Sequence, residues 1–148
     1  MIKKEYTFID LFAGAGGLSE GFIKAGFSPI AHIEMKQDAC NTLKTRSAFH
    51  YLKAQGKLSI YEDYLKNKKE GTDGSVIWAQ VPSEVTDAAI CATIGEDTIN
   101  GIFEKVDSLK GDKTVDIIIG GPPCQAYSVA GRARMGKAVE EDPRNELY

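Results

Sequence analysis

Cys124 follows two consecutive prolines in Gly120-Gly121-Pro122-Pro123-Cys124-Gln125. Each proline fixes φ and lacks an N–H, so the turn is stiff and the thiol is aimed rather than left to wander. A nucleophile needs such aim, and the polar, arginine-bearing sequence from Gln125 to Arg134 suits an exposed mouth. Burial as an inert small hydrophobe is the alternative for an intracellular cysteine, and it is the role expected of Cys40 and Cys91 inside helical patches. A second constellation is Gly14-x-Gly16-Gly17, where missing Cβ atoms and free helix N-terminal amides would admit a nucleotide-like ligand. Ser19 stands where the dinucleotide fingerprint has Gly or Ala. Glu34, twenty residues after Gly14, lies where a carboxylate can accept hydrogen bonds from ribose hydroxyls. A purely structural glycine turn and a solvated surface acid are the bland readings of the same residues. The spacing does not tell one adenosine-bearing cofactor from another.

The elements that must position these residues follow from hydropathy. Thr7 to Phe12 is a short apolar run, partly β-branched, that reads as a strand entering the glycine-rich turn. A helix follows, with Leu18, Phe22 and Ala25 on one face and Gly26 at its stop. Pro29 to Ile33 reads as the second strand, which makes a βαβ unit and hence a parallel sheet with right-handed crossovers. Asp38 to about Thr45 reads as another helix. Residues 46 to 94 are polar and weakly patterned, and read as a mainly helical insertion with Lys66 to Gly74 as a loop and a helical patch at Val85, Ala88 and Ala89. Ile99, Ile102, Phe103, Val106 and Leu109 recur at helical spacing behind the acidic Glu96 and Asp97. Val115 to Ile119 is the nearly continuous apolar run of a doubly covered parallel strand. Both glycine turns and Glu34 thus fall at strand carboxyl ends, the edge where open α/β sheets bind ligands.

Composition sets outer bounds. A 148-residue chain that is 43% hydrophobic can bury one ordinary core, and its 26% charged residues are interspersed in sign. No stretch is long and apolar enough for a membrane span, and the charged N-terminus lacks a secretory apolar segment, so a cytoplasmic location is expected. Three cysteines without a Cys-x-x-Cys pair give neither a disulfide framework nor a metal site. The net charge of −3 argues against gripping nucleic acid by bulk electrostatics, so any basic surface must be local.

Phe8-Ile9-Asp10-Leu11-Phe12-Ala13-Gly14-Ala15-Gly16-Gly17 resembles the S-adenosylmethionine loop of the C5-cytosine DNA methyltransferases. Gly120-Gly121-Pro122-Pro123-Cys124-Gln125-Ala126-Tyr127-Ser128 resembles their nucleophile motif, in the right order, and Asp142 to Tyr148 is similar to the motif that follows it. Clear resemblance covers residues 5 to 45 and 115 to 148. It implies a Rossmann-like S-adenosylmethionine-dependent methyltransferase fold, a mostly parallel α/β sheet with helices on both faces. Phe12 would pack near adenine, and Ala13, Gly14, Gly16 and Gly17 would hold the methionine end. Glu34 would take the ribose hydroxyls and Met35 would lie against adenine. Gly121, Pro122 and Pro123 would line the pocket beside Cys124, and Leu147 would touch the cofactor. Gln125, Ser128, Arg132 and Arg134, with Lys137, are the candidate DNA contacts on a closing loop. Asp97 is the candidate for an acid near the adenine amino group.

The implied activity is methyl transfer to C5 of cytosine in double-stranded DNA through a covalent cysteine adduct, of the restriction-modification type. The family's Glu-Asn-Val motif and target-recognition domain do not follow Tyr148. The expectation is therefore the N-terminal part of a catalytic domain, inactive alone, or a cofactor-binding remnant or subunit of a split enzyme completed by a second chain. A nicotinamide dehydrogenase is disfavoured by Ser19 and leaves Pro122-Pro123-Cys124 unexplained. An RNA-directed relative would carry a similar nucleophile motif.

Overall fold

The computed structural model describes residues 5–69 and 73–122. Its centre is a strand, β1 (Thr7–Leu11), whose side chains are almost all buried because it is covered on both faces and paired on both edges. β2 (Ser28–Glu34) and β4 (Ile117–Gly120) flank it, and β3 (Ala89–Cys91) adds to β2, giving the order β3-β2-β1-β4 with every pair parallel. This is the Rossmann-like α/β arrangement that the sequence implies.

The first crossover is α1 (Gly17–Lys24). It stops because Gly26, at φ 91°, donates to the Ile23 carbonyl while Phe27 N–H returns to the Phe22 carbonyl, the paired bonds of a Schellman ending. The Phe22 and Phe27 rings, 5.3 Å apart and edge to face, complete that ending with an apolar contact. Register then sets which side chains meet the helices. A bulge in β2 opposite Phe8 and Ile9 inserts one residue, and a one-residue slip exchanges the faces of a strand. The resulting phase puts Asp10 and His32 on the same side of the sheet as partners across β1 and β2. Phe8 on that side packs on Phe22 of α1. The opposite side carries Ile9, Ala31, Ile33 and Ile90 against Ile102 and Val106 of α6 (Ile99–Lys110).

α2 (Gln37–Ala54) runs nine residues past the expected end at Thr45. Its buried residues drift around the helix because it packs twice. Leu43 meets Ala13 and Ala89 above the sheet, whereas Ala48 and Leu52 meet Ile77 in a second apolar cluster. No single apolar stripe results, so sequence periodicity underestimates the helix. The second cluster is built by α3 (Leu58–Asn67) and α4 (Ser75–Trp78), with α5 (Ser83–Asp87) leading into β3. The expected insertion is helical, but it occupies the stretch between Ala54 and β3 rather than starting at residue 46. Three further expectations are corrected. Ala89 to Cys91 is a strand, not part of a helical patch, and its three residues are too few to show a period. Leu18 is 47% exposed while Ser19 is 2% exposed, so a polar residue occupies the inward position of α1. Phe103 of α6 is also exposed.

Candidate cofactor and active site

The carboxyl ends of β1, β2 and β4 converge on one edge, and the loop leaving β1 has the least ordinary backbone in the described residues. Phe12 is its one non-glycine residue with positive φ, at 57°. A side chain in that region costs about 1–3 kcal/mol and persists where the surroundings impose it, commonly at ligand sites. Gly16, at φ 84°, is the N-cap of α1, and a Cβ there would stand 2.9 Å from Leu43 Cδ2 of α2. Only glycine lets the loop lie this close to α2. Gly16 gives α1 no side-chain cap; the Ser19 amide in its first turn is bonded by the Asp10 carboxyl, which leaves the Gly17 and Leu18 amides to begin the helix at this edge.

Glu34 is 9% exposed, and both of its oxygens are engaged with backbone. Oε2 accepts Gly14 N–H at 2.8 Å, and Oε1 accepts Lys36 N–H at 2.8 Å. The acid and the glycine loop, related in the sequence by their twenty-residue interval, are thus directly bonded. Each oxygen keeps a lone pair for a further donor. Ala13, buried, donates to the Ile33 carbonyl at 3.0 Å and fixes the other side of the loop. Met35, next to Glu34, is 62% exposed at the strand end, an apolar side chain offered to whatever occupies the edge.

β4 arrives beside the same loop. Gly120 is the register partner of Leu11, and a Cβ on it would fall 2.7 Å from the Leu11 carbonyl oxygen, so glycine is needed for the two strand ends to meet. Gly121 and Pro122 follow, both exposed. Pro123, Cys124, Gln125, Ser128, Arg132, Arg134, Lys137 and Leu147 lie outside the described residues. Asp97 is exposed in the turn before α6, on the connection leaving the carboxyl end of β3.

Behind the loop lies a polar group whose three members sequence reading did not bring together. Ser19 Oγ donates to Asp10 Oδ2 and stands 3.0 Å from His32 Nδ1. All three side chains are at most 3% exposed. Burial raises the Asp10 carboxyl above its ordinary range despite the Ser19 bond, and burial, with Arg46 adding repulsion, lowers His32 to about 4. His32 is neutral at physiological pH. On the rim, Glu20 of α1 holds Arg46 (2.7 Å) and His50 (2.8 Å) of α2. Cys40 is buried as expected and donates to the Glu34 carbonyl at 3.2 Å; burial and the neighbouring Cys91 thiol push it up to about 12. Cys91 is not the buried helical cysteine expected: it is exposed at the end of β3. Among the described residues no cluster of His, Cys, Asp and Glu could hold a metal ion, and no helix is long and apolar enough to cross a membrane.

A parallel sheet with a glycine loop and an acid tied together at its carboxyl edge defines an α/β protein of the Rossmann-like class. The sequence profile of the C-5 cytosine-specific DNA methylases matches residues 6–73 and 87–148, and the chain belongs to that family. It is 38% identical over 157 residues to the type II methyltransferase M.Bpa9945I of Bacillus paralicheniformis, a match covering 95% of this chain and 35% of that protein. It is 30% identical to the type II methyltransferase M1.HphI of Haemophilus parahaemolyticus, covering 96% and 27%, and 32% identical to M.AquIA of Picosynechococcus, covering 97% and 40%. The chain thus spans about a third of the length of these curated relatives. No solved structure gives a significant match.

Proposed function

We propose that the chain binds S-adenosylmethionine at the loop from Phe12 to Gly17 and carries the nucleophile for methyl transfer to C5 of cytosine in DNA. The observation that carries this reading is the bond from Gly14 N–H to Glu34, which joins the loop and the acid into one adenosine-shaped cradle. The remaining lone pairs of Glu34 suit ribose hydroxyls, Met35 and Phe12 supply apolar surface for adenine, and the Gly17 and Leu18 amides that open α1 suit the cofactor's carboxylate. When bound, the cofactor supplies an electrophilic sulfonium methyl.

The protein's part in the chemistry falls to Cys124. Cytosine C5 is a poor nucleophile, so the thiolate adds at C6 and makes C5 enamine-like. C5 then takes the methyl group, and loss of the C5 proton re-forms the C5–C6 double bond and expels the thiolate. The base must leave the duplex to reach this geometry. Gln125, Ser128, Arg132 and Arg134 are assigned to DNA contact and Leu147 to the cofactor, by their positions in the family motifs. The close approach of Gly120 to Leu11 supports the assignment, because it brings the stem of the cysteine motif to the glycine loop.

Incubating the whole gene product with S-adenosylmethionine and duplex DNA containing 5-fluorocytosine should trap a stable adduct at Cys124, because the methylated C5 has no proton to lose, and Cys124→Ser should abolish both adduct and methylation. Methylation retained by Cys124→Ser would sink the reading. Transfer RNA in place of DNA separates the two nucleic-acid substrates.

A further inference from the structure

Asp10, Ser19 and His32 are three polar side chains sealed beneath the glycine loop, each two residues from a part of the site. Asp10 precedes Phe12 by two, Ser19 follows Gly17 by two, and His32 precedes Glu34 by two. They come from β1, α1 and β2, the three elements that frame the loop. We propose that the buried Asp10–Ser19–His32 chain is a positioning device that sets the aim of the glycine-loop amides, and so governs cofactor affinity rather than fold stability. It rests on the reading of that loop as the cofactor site.

The bonding order follows from proton counting. Ser19 has one hydroxyl proton, and it goes to Asp10 Oδ2. The 3.0 Å contact with His32 Nδ1 must then use the imidazole's proton, so the neutral ring carries N–H at Nδ1 and leaves Nε2 bare. The donors run in one direction, His32 to Ser19 to Asp10. Asp10 Oδ1 has no hydrogen-bond partner among the described residues, so the carboxylate depends on what Ser19 provides, the side-chain hydroxyl and, from the backbone, its amide. A buried carboxylate with an unfilled oxygen is an expensive way to fill space, and small apolar residues at these positions would pack at less cost. What the polar chain gives instead is direction. Rotation of α1 about its axis would break the Ser19 bonds to both strands at once, and α1 begins at Gly17, the last residue of the loop.

The test separates orientation from folding. In Asp10→Leu/Ser19→Ala/His32→Leu the site is apolar throughout, and the expected protein melts no lower than the native one. The Gly14 amide, which donates to Glu34, should exchange with solvent about tenfold faster, as for loss of one hydrogen bond to a charged group. Affinity for S-adenosylmethionine should fall by about tenfold or more on the same grounds. Ser19→Ala alone should show the faster Gly14 exchange, and Ser19→Thr, which keeps the hydroxyl, should restore it. A folded triple variant with native Gly14 exchange would overturn the proposal, as would a native nitrogen spectrum in which the His32 proton sits on Nε2. The exchange arm needs no cofactor. If the native protein gives no heat with S-adenosylmethionine, the reading of the loop as its site fails while the exchange data still decide the positioning role.

Discussion

At the scale of single residues, His32 makes the acid limb of stability legible. Its folded value of about 4 lies below the ordinary 6.5, so between those values the unfolded chain binds a proton that the folded one refuses. Stability is therefore lost as pH falls from about 6.5 to 4, by up to about 3 kcal/mol at 1.36 kcal/mol per unit. Asp10 works the other way, because a carboxyl raised by burial is relieved by protonation, so the observed loss should be smaller than His32 alone would give. Urea unfolding at pH 7 and pH 5 should show the native protein weakening, and His32→Gln should flatten that slope. A native protein equally stable at both values would contradict the burial of a neutral His32. Of the residues at the site, Gly14, Gly16 and Glu34 were legible in the sequence because glycine freedom and a twenty-residue interval are local signals. Asp10, Ser19 and His32 were not. Their meeting depends on strand register and on the bulge in β2, which no local pattern encodes.

At the scale of elements, the loop between β1 and α1 is fixed by how closely α2 presses on it. Gly16→Ala adds a side chain in the left-handed region, at about 1–2 kcal/mol, and places its Cβ 2.9 Å from Leu43. The urea midpoint should drop accordingly, with cofactor affinity falling further than stability because the displaced segment is the cradle itself. Unchanged affinity in Gly16→Ala would mean that the loop does not form the site. The positions of β1, β2, β4, α1 and α6 were readable from hydropathy, but not every face: α1 turns Ser19 inward and Leu18 outward, Phe103 of α6 is exposed, and β4, expected to be covered on both sides, exposes Ile118. α2 was half readable, and β3 not at all. α2 changes partner midway from the sheet to Ile77, and β3 gains its identity only by pairing with β2.

At the scale of the whole molecule, the described residues form three apolar clusters. One lies between the sheet and α6, a small one joins Ala13, Leu43 and Ala89, and the third joins α2, α3 and α4. Residues 74–86, which include Ile77, fall between the two segments matched by the family profile. Ile77→Ala should cost about 2–5 kcal/mol, the range for a cavity at a fully buried position, and leave cofactor affinity in the folded protein unchanged. A loss of affinity without a loss of stability would show that the helical insertion reaches the site. The account as a whole stands on the cradle formed by Gly14 and Glu34, and titration calorimetry addresses it directly. The native chain should bind S-adenosylmethionine at one site and give no heat with NAD, and Glu34→Ala should lose at least about tenfold in affinity, as expected for removing a charged hydrogen-bond acceptor. Binding of NAD, or S-adenosylmethionine binding indifferent to Glu34→Ala, would contradict it.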